Sequence, residues 1–266
     1  SFVWLDRQVV PDKMAQLRAL DLPGIHTMME TRRFYPKRHL AGQLLGFVGV
    51  DEQGLGGLEQ RYDHDLSGTS RQVIGQVDAR RRRVRLLDGE DAANPRGANL
   101  HLTLDERLQY IAEKELAVQV EETGAKQGIV IMMEPATGDI LALASYPFFN
   151  PNDYQDPGQF VWRGNRAVTD PVEPGSTFKI VAAAAALQEK KIRPEDKVFC
   201  ENGLIFRGRT KRRLRDHHPY GLLSFTEVLE HSSNIGMVMV NERLTREQFY
   251  DYIRRFGFGE KSNIDL

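Results

Sequence analysis

The sequence predicts an α+β fold, in which an antiparallel sheet packs with helices. Residues 128–133 and 140–145 are two apolar runs that indicate strands, and Pro135-Ala136-Thr137-Gly138 between them has the composition of a hairpin turn. Helical segments both precede and follow this hairpin. Antiparallel strands followed by a group of helices are typical of the α+β class.

A polar stretch over residues 88–97 predicts a linker between two domains. Before it, residues 72–78 alternate apolar and polar side chains as a half-buried strand does, and residues 42–57 are rich in glycine. We therefore predict a β-rich domain over residues 1–87. The second domain then extends over residues 98–266.

The second domain is predicted to begin with a strand and a long helix. Residues 100–104 alternate apolar and polar side chains, which favours a strand. Asp105 can then cap a helix that extends to about Glu122. The apolar side of this helix is predicted to consist of Leu108, Ile111, Ala112, Leu116 and Val120.

Composition and charge limit the function classes. The chain has 266 residues, of which 41% are hydrophobic, so it can bury a sizeable core. A formal net charge of -1 argues against a general nucleic-acid binder. The basic clusters lack the interleaved aromatic residues that base stacking requires, so we predict solvated surfaces and no nucleic-acid partner. The two clusters are Arg71, Arg80 to Arg83 and Arg85, and Arg207, Arg209, Lys211, Arg212, Arg213 and Arg215.

Ser176 and Lys179 stand three residues apart at the predicted start of a helix. Pro174 and Gly175 interrupt the chain before them, and five consecutive alanines follow within residues 180–187, which indicates a closely packed helix. An i, i+3 spacing puts both side chains on one helical face. Burial lowers the pKa of a lysine, and a neutral amine can accept a proton from a serine nucleophile. Alone, this spacing more often marks a cap followed by a surface lysine.

A second polar group occurs at Ser232, Ser233 and Asn234, between two apolar helical segments. Ser224 or Thr226 is predicted to cap the first of these helices. Ser232 and Asn234 therefore lie on a loop between helices. Such residues favour turns in any protein, so this group alone predicts no function.

Together, Ser-x-x-Lys followed by Ser-x-Asn resembles the active-site signature of penicillin-binding proteins and serine β-lactamases. Residues 165–176 and 128–145 resemble the transpeptidase domain of class B penicillin-binding proteins. The N-terminal residues resemble the non-catalytic pedestal of the division and sporulation branch. The pedestal motifs are Arg32-Arg33-Phe34-Tyr35-Pro36, Leu45-Gly46-Phe47-Val48-Gly49 and Gly56-Gly57-Leu58-Glu59.

This resemblance implies a peptidoglycan D,D-transpeptidase that works through a serine acyl-enzyme and is a target of β-lactams. Ser176 would be the nucleophile and Lys179 its base, Ser232 would relay a proton, and Asn234 would hold the substrate amide. Glu173 and Ser233 would support these groups, and no cofactor is implied. Ser-x-x-Lys chemistry requires no histidine.

The family carries a third motif, Lys-Thr-Gly, which does not occur in these residues. The resemblance therefore implies a chain that lacks the C-terminal part of its transpeptidase domain and the first part of its pedestal. We expect a fragment of this extent to be inactive or only weakly active. One wall of the cleft and one oxyanion donor would lie on the missing strand.

The resemblance also implies partners and a location. The substrates would be peptidoglycan stem peptides, and a membrane glycosyltransferase and the division or sporulation machinery would be partners. The protein would act at the outer face of the bacterial cytoplasmic membrane, held by an N-terminal anchor that these residues do not include. No apolar run in the sequence reaches the length of a membrane span.

Two other functions remain open at this point. A β-lactamase or β-lactam sensor shares both serine motifs, and a non-catalytic scaffold of the division machinery would need neither. A zinc site is a further alternative, but the spacing of its candidate ligands matches no compact motif, and we predict no metal. Those candidates are Cys200, Asp216, His217 and His218.

Overall fold

The structure is a computed structural model that describes residues 2–28, 30–68, 75–77, 83–86, 97–207 and 212–266. It divides into two compact units, one of Ser1–Asp170 with Ile264–Leu266 and one of Pro171–Asn263. The predicted linker lies outside the described residues except for Gly97, and so do Arg71, Arg80 to Arg82, Arg209 and Lys211. The domain boundaries predicted above stay predictions.

The described part of the first unit contains helices and two antiparallel hairpins. The helices are α1 (Pro11–Ala19), α2 (Gly42–Leu45), α3 (Gly57–Arg61), α4 (Asp63–Leu66), α5 (Glu106–Thr123) and α6 (Arg166–Thr169). The strands are β1 (Gly75–Val77), β2 (Arg83–Leu86), β3 (Gly128–Met133) and β4 (Ile140–Tyr146). β1 pairs with β2, and β3 pairs with β4.

Helix α5 and the β3–β4 hairpin confirm the helix predicted from Asp105 to about Glu122 and the hairpin predicted over residues 128–145. Asp105 caps α5 by accepting hydrogen bonds from the backbone N–H groups of Arg107 and Leu108, which satisfies donors that a helix start leaves free. Gly124, with φ of 65°, ends the helix. The buried apolar side chains of α5 pack on Ala142 and Ala144 of β4.

The predicted apolar face of α5 is wrong at Ile111, which is 50% exposed. Gln109 and Glu113 are buried instead. Gln109 accepts a hydrogen bond from the Leu143 N–H at 2.7 Å and donates to the Leu143 carbonyl at 3.1 Å. Glu113 accepts from the Ala41 N–H at 2.7 Å, and burial raises the pKa of its carboxyl. Polar pairing with the backbone therefore decides which face of α5 is buried.

The strand predicted over residues 100–104 is also wrong, because this segment has no ladder of backbone hydrogen bonds. It runs beside β4 through two isolated bonds. The Thr103 hydroxyl donates to the Ile140 carbonyl at 2.7 Å, and the Asp105 N–H donates to the Leu141 carbonyl at 2.9 Å. Leu100 and Leu102 are exposed, at 37% and 39%, so the segment has neither the backbone pairing of a strand nor the half-buried face that the alternation predicts.

The motifs that resemble a pedestal form a compact group in the first unit. Glu59 is buried and accepts hydrogen bonds from Arg33 at 2.6 Å and from the Tyr35 hydroxyl at 3.2 Å. Burial and the nearby Glu59 carboxylate raise the pKa of Tyr35. Gly46 has φ of 78°, and a Cβ at this position would lie 1.7 Å from the Gly56 carbonyl oxygen. Only glycine fits there.

The second unit packs helices around short strands. Its elements are α7 (Lys179–Gln188), β5 (Lys197–Phe199), β6 (Leu204–Arg207), β7 (Arg212–Arg215), β8 (Leu222–Ser224), α8 (Phe225–Glu230), α9 (Asn234–Asn241) and α10 (Arg246–Arg255). β5 pairs antiparallel with β8, and β6 with β7. Side chains of α7, α8 and α9 meet β5 and β6 in one apolar core. Among the residues described above, no helix combines the length and the apolar character needed to cross a bilayer.

Candidate active site

Ser176 lies on a 3₁₀ turn, Gly175–Phe178, that leads directly into α7. Gly175 has φ of 57°, a conformation that glycine adopts without strain. The Thr177 hydroxyl donates to the Pro174 carbonyl at 2.5 Å and closes the turn. The sequence predicted a helix start here, and the regular α-helix begins at Lys179. The Ser176 hydroxyl and the Lys179 amine are therefore on consecutive parts of one continuous helical segment.

Helix α7 is held by its small side chains. The alanine run lets neighbouring helices approach closely, and the contacts of α7 are made with α9 and α10. Because this packing fixes the helix on two sides, the position of Lys179 at its start is fixed as well. The buried residues of α7 are Val181, Ala182, Ala183, Ala185 and Ala186.

Ser232 lies in the turn between α8 and α9, and its backbone is left-handed, with φ of 52°. A side chain in that region carries a steric cost. The turn is fixed by backbone hydrogen bonds from Ser232 N–H to the Leu229 carbonyl at 3.0 Å and from Ser233 N–H to the Val228 carbonyl at 2.9 Å. The predicted loop is thus a single tight turn, and Asn234 is the first residue of α9.

Three predicted site residues meet in the second unit. The Lys179 amine donates to the Ser232 hydroxyl at 2.9 Å and to the Ser232 carbonyl at 2.5 Å. The Ser232 hydroxyl is 3.2 Å from the Ser176 hydroxyl. No hydrogen bond joins Lys179 directly to Ser176. Ser232 therefore connects the Lys179 amine to the Ser176 hydroxyl, whereas the sequence spacing predicts a direct approach.

Burial lowers the pKa of Lys179, because the charged amine loses solvation, and the charge of Asp216 acts in the opposite direction. A lower pKa increases the fraction of neutral amine at neutral pH. The neutral form has a lone pair and can accept a proton. The electrostatics of the site thus favour the neutral form of the Lys179 amine.

Asp216 is a residue of this site that the sequence indicated only as a candidate zinc ligand. It follows β7, is 4% exposed, and accepts a hydrogen bond from the Ser233 hydroxyl at 2.6 Å. It also accepts from the backbone N–H groups of Asn234 at 2.5 Å and Ile235 at 3.1 Å. A carboxylate at the start of a helix is favourable. Only tertiary structure brings it there, since 18 residues separate it from Asn234.

The remaining candidates have other surroundings. The side-chain amide of Asn234 donates to the Arg215 carbonyl at 3.0 Å. Glu173 is exposed and bonds to no other described residue. His231, the residue before Ser232, is not one of these candidates and stacks on Tyr220, with ring centroids 5.1 Å apart.

The four candidate zinc ligands do not form a metal site. Cys200 is fully buried, and burial raises the pKa of its thiol. Asp216 is occupied by the bonds to Ser233, Asn234 and Ile235. Within the described part of the chain, no group of three or more His, Cys, Asp and Glu side chains is arranged to hold a metal ion.

Comparison with known proteins places these observations in a family. Residues 128–266 match the family described as the penicillin binding protein transpeptidase domain, and residues 2–102 match the penicillin-binding protein dimerisation domain. The chain is 36% identical over 261 residues to stage V sporulation protein D of Bacillus subtilis, covering 98% of this chain and 40% of that protein. It is 35% identical to the peptidoglycan D,D-transpeptidase FtsI of Escherichia coli, covering 100% of this chain and 44% of that protein.

A solved structure agrees with these sequence matches. The crystal structure of penicillin binding protein 3 from Mycobacterium tuberculosis aligns with a TM-score of 0.73 and 30% identity, over 88% of this chain and 49% of that one. This chain thus spans less than half the length of the two curated relatives. Since the transpeptidase match covers more than half of its residues and the dimerisation match most of the others, the chain belongs to the class B penicillin-binding proteins.

Proposed function

We propose that the protein is a peptidoglycan D,D-transpeptidase in which Ser176 forms an acyl-enzyme. The observation that carries this proposal is the continuous hydrogen-bonded connection from the Lys179 amine through the Ser232 hydroxyl to the Ser176 hydroxyl. Covalent catalysis requires a base that can take the proton of the nucleophile, and here the Ser232 hydroxyl connects these two groups, which make no direct hydrogen bond. The relatives that are named D,D-transpeptidases support the same function.

The first step is acylation. The neutral Lys179 amine accepts a proton from Ser232 while Ser232 accepts one from Ser176, which reverses the polarity of both hydrogen bonds. The Ser176 oxygen attacks the carbonyl of the penultimate D-alanine of a stem peptide. The bond to the terminal D-alanine breaks, and a proton passes from Lys179 through Ser232 to the leaving nitrogen.

The second step forms the cross-link. The amine of a neighbouring stem peptide attacks the ester carbonyl, its proton passes to the Ser232–Lys179 pair, and Ser176 leaves as a hydroxyl. The Ser176 N–H serves as one oxyanion donor. Asn234 holds the substrate amide, for which its side chain must leave the Arg215 carbonyl or use its oxygen.

The proposed partners follow from this activity. β-Lactams, which resemble the D-Ala-D-Ala end, acylate Ser176 and leave slowly. A membrane glycosyltransferase supplies the glycan strands, and the division or sporulation machinery directs the enzyme. We place it at the outer face of the cytoplasmic membrane, through an N-terminal anchor. The relative named for sporulation covers 98% of this chain, and the relative named as a D,D-transpeptidase covers 100%. The proposal therefore fits a role in division as well as one in sporulation.

The proposal is tested by labelling the full-length protein with a fluorescent penicillin. We expect one covalent adduct, located at Ser176 by peptide mass spectrometry. The Ser176→Ala variant should not label. Thr226→Ala is the matched control, because it also removes one hydroxyl from the second unit, and that hydroxyl contacts only the Pro194 carbonyl in the described structure. Labelling of Ser176→Ala at a comparable rate would contradict the proposal.

The same experiment separates the alternatives. A transpeptidase keeps the penicilloyl adduct for many turnover times, whereas a β-lactamase releases penicilloic acid and recovers. Rapid release would favour the β-lactamase. Absence of any adduct in the folded protein would favour a non-catalytic scaffold of the division machinery.

A further inference from the structure

The backbone around Ser232 is the least relaxed part of the site. Its positive φ is uncommon for a residue with a side chain, and residues held in such conformations persist only where the surrounding structure determines them. The position of the Ser232 hydroxyl between Lys179 and Ser176 depends on this backbone. The contacts that maintain the left-handed backbone of Ser232 therefore determine where its hydroxyl lies.

Asp216 binds the three residues that follow Ser232. One carboxylate oxygen accepts from the Ser233 hydroxyl, and the other accepts from the N–H groups of Asn234 and Ile235. The Ser233 hydroxyl in turn accepts from the Gly236 N–H at 2.8 Å. These contacts fix the entry into α9. They leave the peptide that precedes it, at Ser232, little freedom to relax.

Asp216 is itself fixed by its strand. Its N–H donates to the Gly203 carbonyl at 3.1 Å, beside the β6–β7 hairpin. The neighbouring Arg215 carbonyl accepts from the Asn234 side chain. The carboxylate is buried, and hydrogen bonds to a charged group in such surroundings are stronger than those between neutral groups.

We propose that Asp216 is a positioning residue that holds Ser232 between Lys179 and Ser176. This role rests on the proposed function, and it adds to the site a residue that touches neither the substrate nor the nucleophile. In the described structure the Asp216 carboxylate accepts hydrogen bonds from residues 233 to 235, so it positions the Ser232 hydroxyl indirectly. Its charge also raises the pKa of Lys179, and removing that charge would favour the neutral amine, so loss of the charge alone does not explain slower acylation. Displacement of a relay group by about 1 Å is enough to lower a rate about 10²-fold.

The test measures acylation of the full-length protein by a fluorescent penicillin over a range of concentrations. This separates the acylation rate constant from the dissociation constant of the initial complex. Asp216→Asn keeps the size of the side chain but removes an acceptor and the charge. We expect the acylation rate constant to fall about 10–100-fold, with a change of less than about threefold in the dissociation constant.

A double-mutant cycle distinguishes positioning from a general loss of stability. In a Ser232→Ala background, Asp216→Asn should have little further effect, because residues that act as a unit are non-additive. Asp196→Asn is the matched control. Asp196 also accepts a backbone N–H, from Arg193 at 2.8 Å, and has no contact with the site. It should leave acylation unchanged.

Several outcomes would overturn the role of Asp216. One is acylation by Asp216→Asn within about twofold of the unchanged protein; another is an equal loss in both backgrounds of the cycle. Should Asp216→Asn not fold, the same cycle is measured with Ser233→Ala. This variant removes the hydroxyl that donates to Asp216 and accepts from the Gly236 N–H, and equal losses there would again reject the role. If the unchanged protein does not label at all, the proposed function itself fails.

Discussion

Substitutions at Ser232 separate catalysis from stability. Alanine and glycine both remove the hydroxyl, which affects acylation, but only glycine also relieves the left-handed backbone, which affects stability. The Ser232 hydroxyl lies 2.9 Å from the Lys179 amine and 3.2 Å from the Ser176 hydroxyl. Loss of that oxygen interrupts the hydrogen-bonded connection between the two groups that the described residues form. A general acid–base contribution is about 10²–10⁴-fold. We expect Ser232→Ala and Ser232→Gly both to acylate slower by about this factor.

The two variants should differ in stability. At φ of 52°, alanine keeps the Cβ that makes the left-handed backbone unfavourable, whereas glycine does not. A left-handed residue with a Cβ costs about 1–2 kcal/mol. Glycine avoids this cost in the folded protein, but part of the gain in stability is lost because glycine is more flexible in the unfolded chain. We expect the free energy of unfolding of Ser232→Gly to exceed that of Ser232→Ala by about 1 kcal/mol.

Acylation is measured by stopped-flow labelling with a fluorescent penicillin, and stability by denaturant unfolding of the same samples. Thr226→Ala reports the effect of losing a hydroxyl elsewhere in the unit. Acylation by Ser232→Ala within about threefold of the unchanged protein would refute the relay. Equal stability of the two variants would show that the turn relaxes and that the left-handed backbone is not maintained.

Lys179→Arg should acylate far more slowly than the unchanged protein, because a guanidinium stays protonated and cannot act as a base; a near-normal rate constant would leave Lys179 with a purely electrostatic role. Gly236→Ala should destabilise the protein by about 1–3 kcal/mol in denaturant unfolding, because a Cβ there would lie 2.7 Å from the side chain of Val228; an unchanged midpoint would contradict this packing. Hydrogen bonds from Ser224 lower the pKa of Glu227 to about 2, so its contribution to stability should be present above pH 4.5 and lost as the pH falls towards 2. Glu227→Gln should accordingly be less stable than the unchanged protein at pH 7 but not at pH 2.

Local features of the fold could be predicted from the sequence, because they depend on neighbouring residues. The Asp105 cap, the β3–β4 hairpin and the capping box of Ser224 follow from residue types at fixed short spacings. The Ser176–Lys179 pair belongs to the same class. Its members share one helical segment, so their proximity needs no knowledge of tertiary structure.

The errors of prediction occur where pairing with distant backbone decides the outcome. Alternation over residues 100–104 predicted a strand, but instead of a ladder there is one bond to β4 from the Thr103 hydroxyl and a second from the N–H of Asp105, the next residue. Ile111 was predicted to be buried because apolar periodicity ignores polar groups. Gln109 and Glu113 are buried in the structure because each has a backbone partner in the same unit.

The active site combines both kinds of information. Ser176 and Lys179 are adjacent by helical geometry, but the hydroxyl that links them arrives from Ser232, 53 residues beyond Lys179. Its position requires a left-handed turn that local preferences disfavour. The energy that maintains this turn must come from elsewhere, and Asp216 supplies buried hydrogen bonds at that point. A serine and a lysine three residues apart are common, so what makes this pair a candidate catalyst is the packing that holds a third residue in a conformation it would not adopt alone.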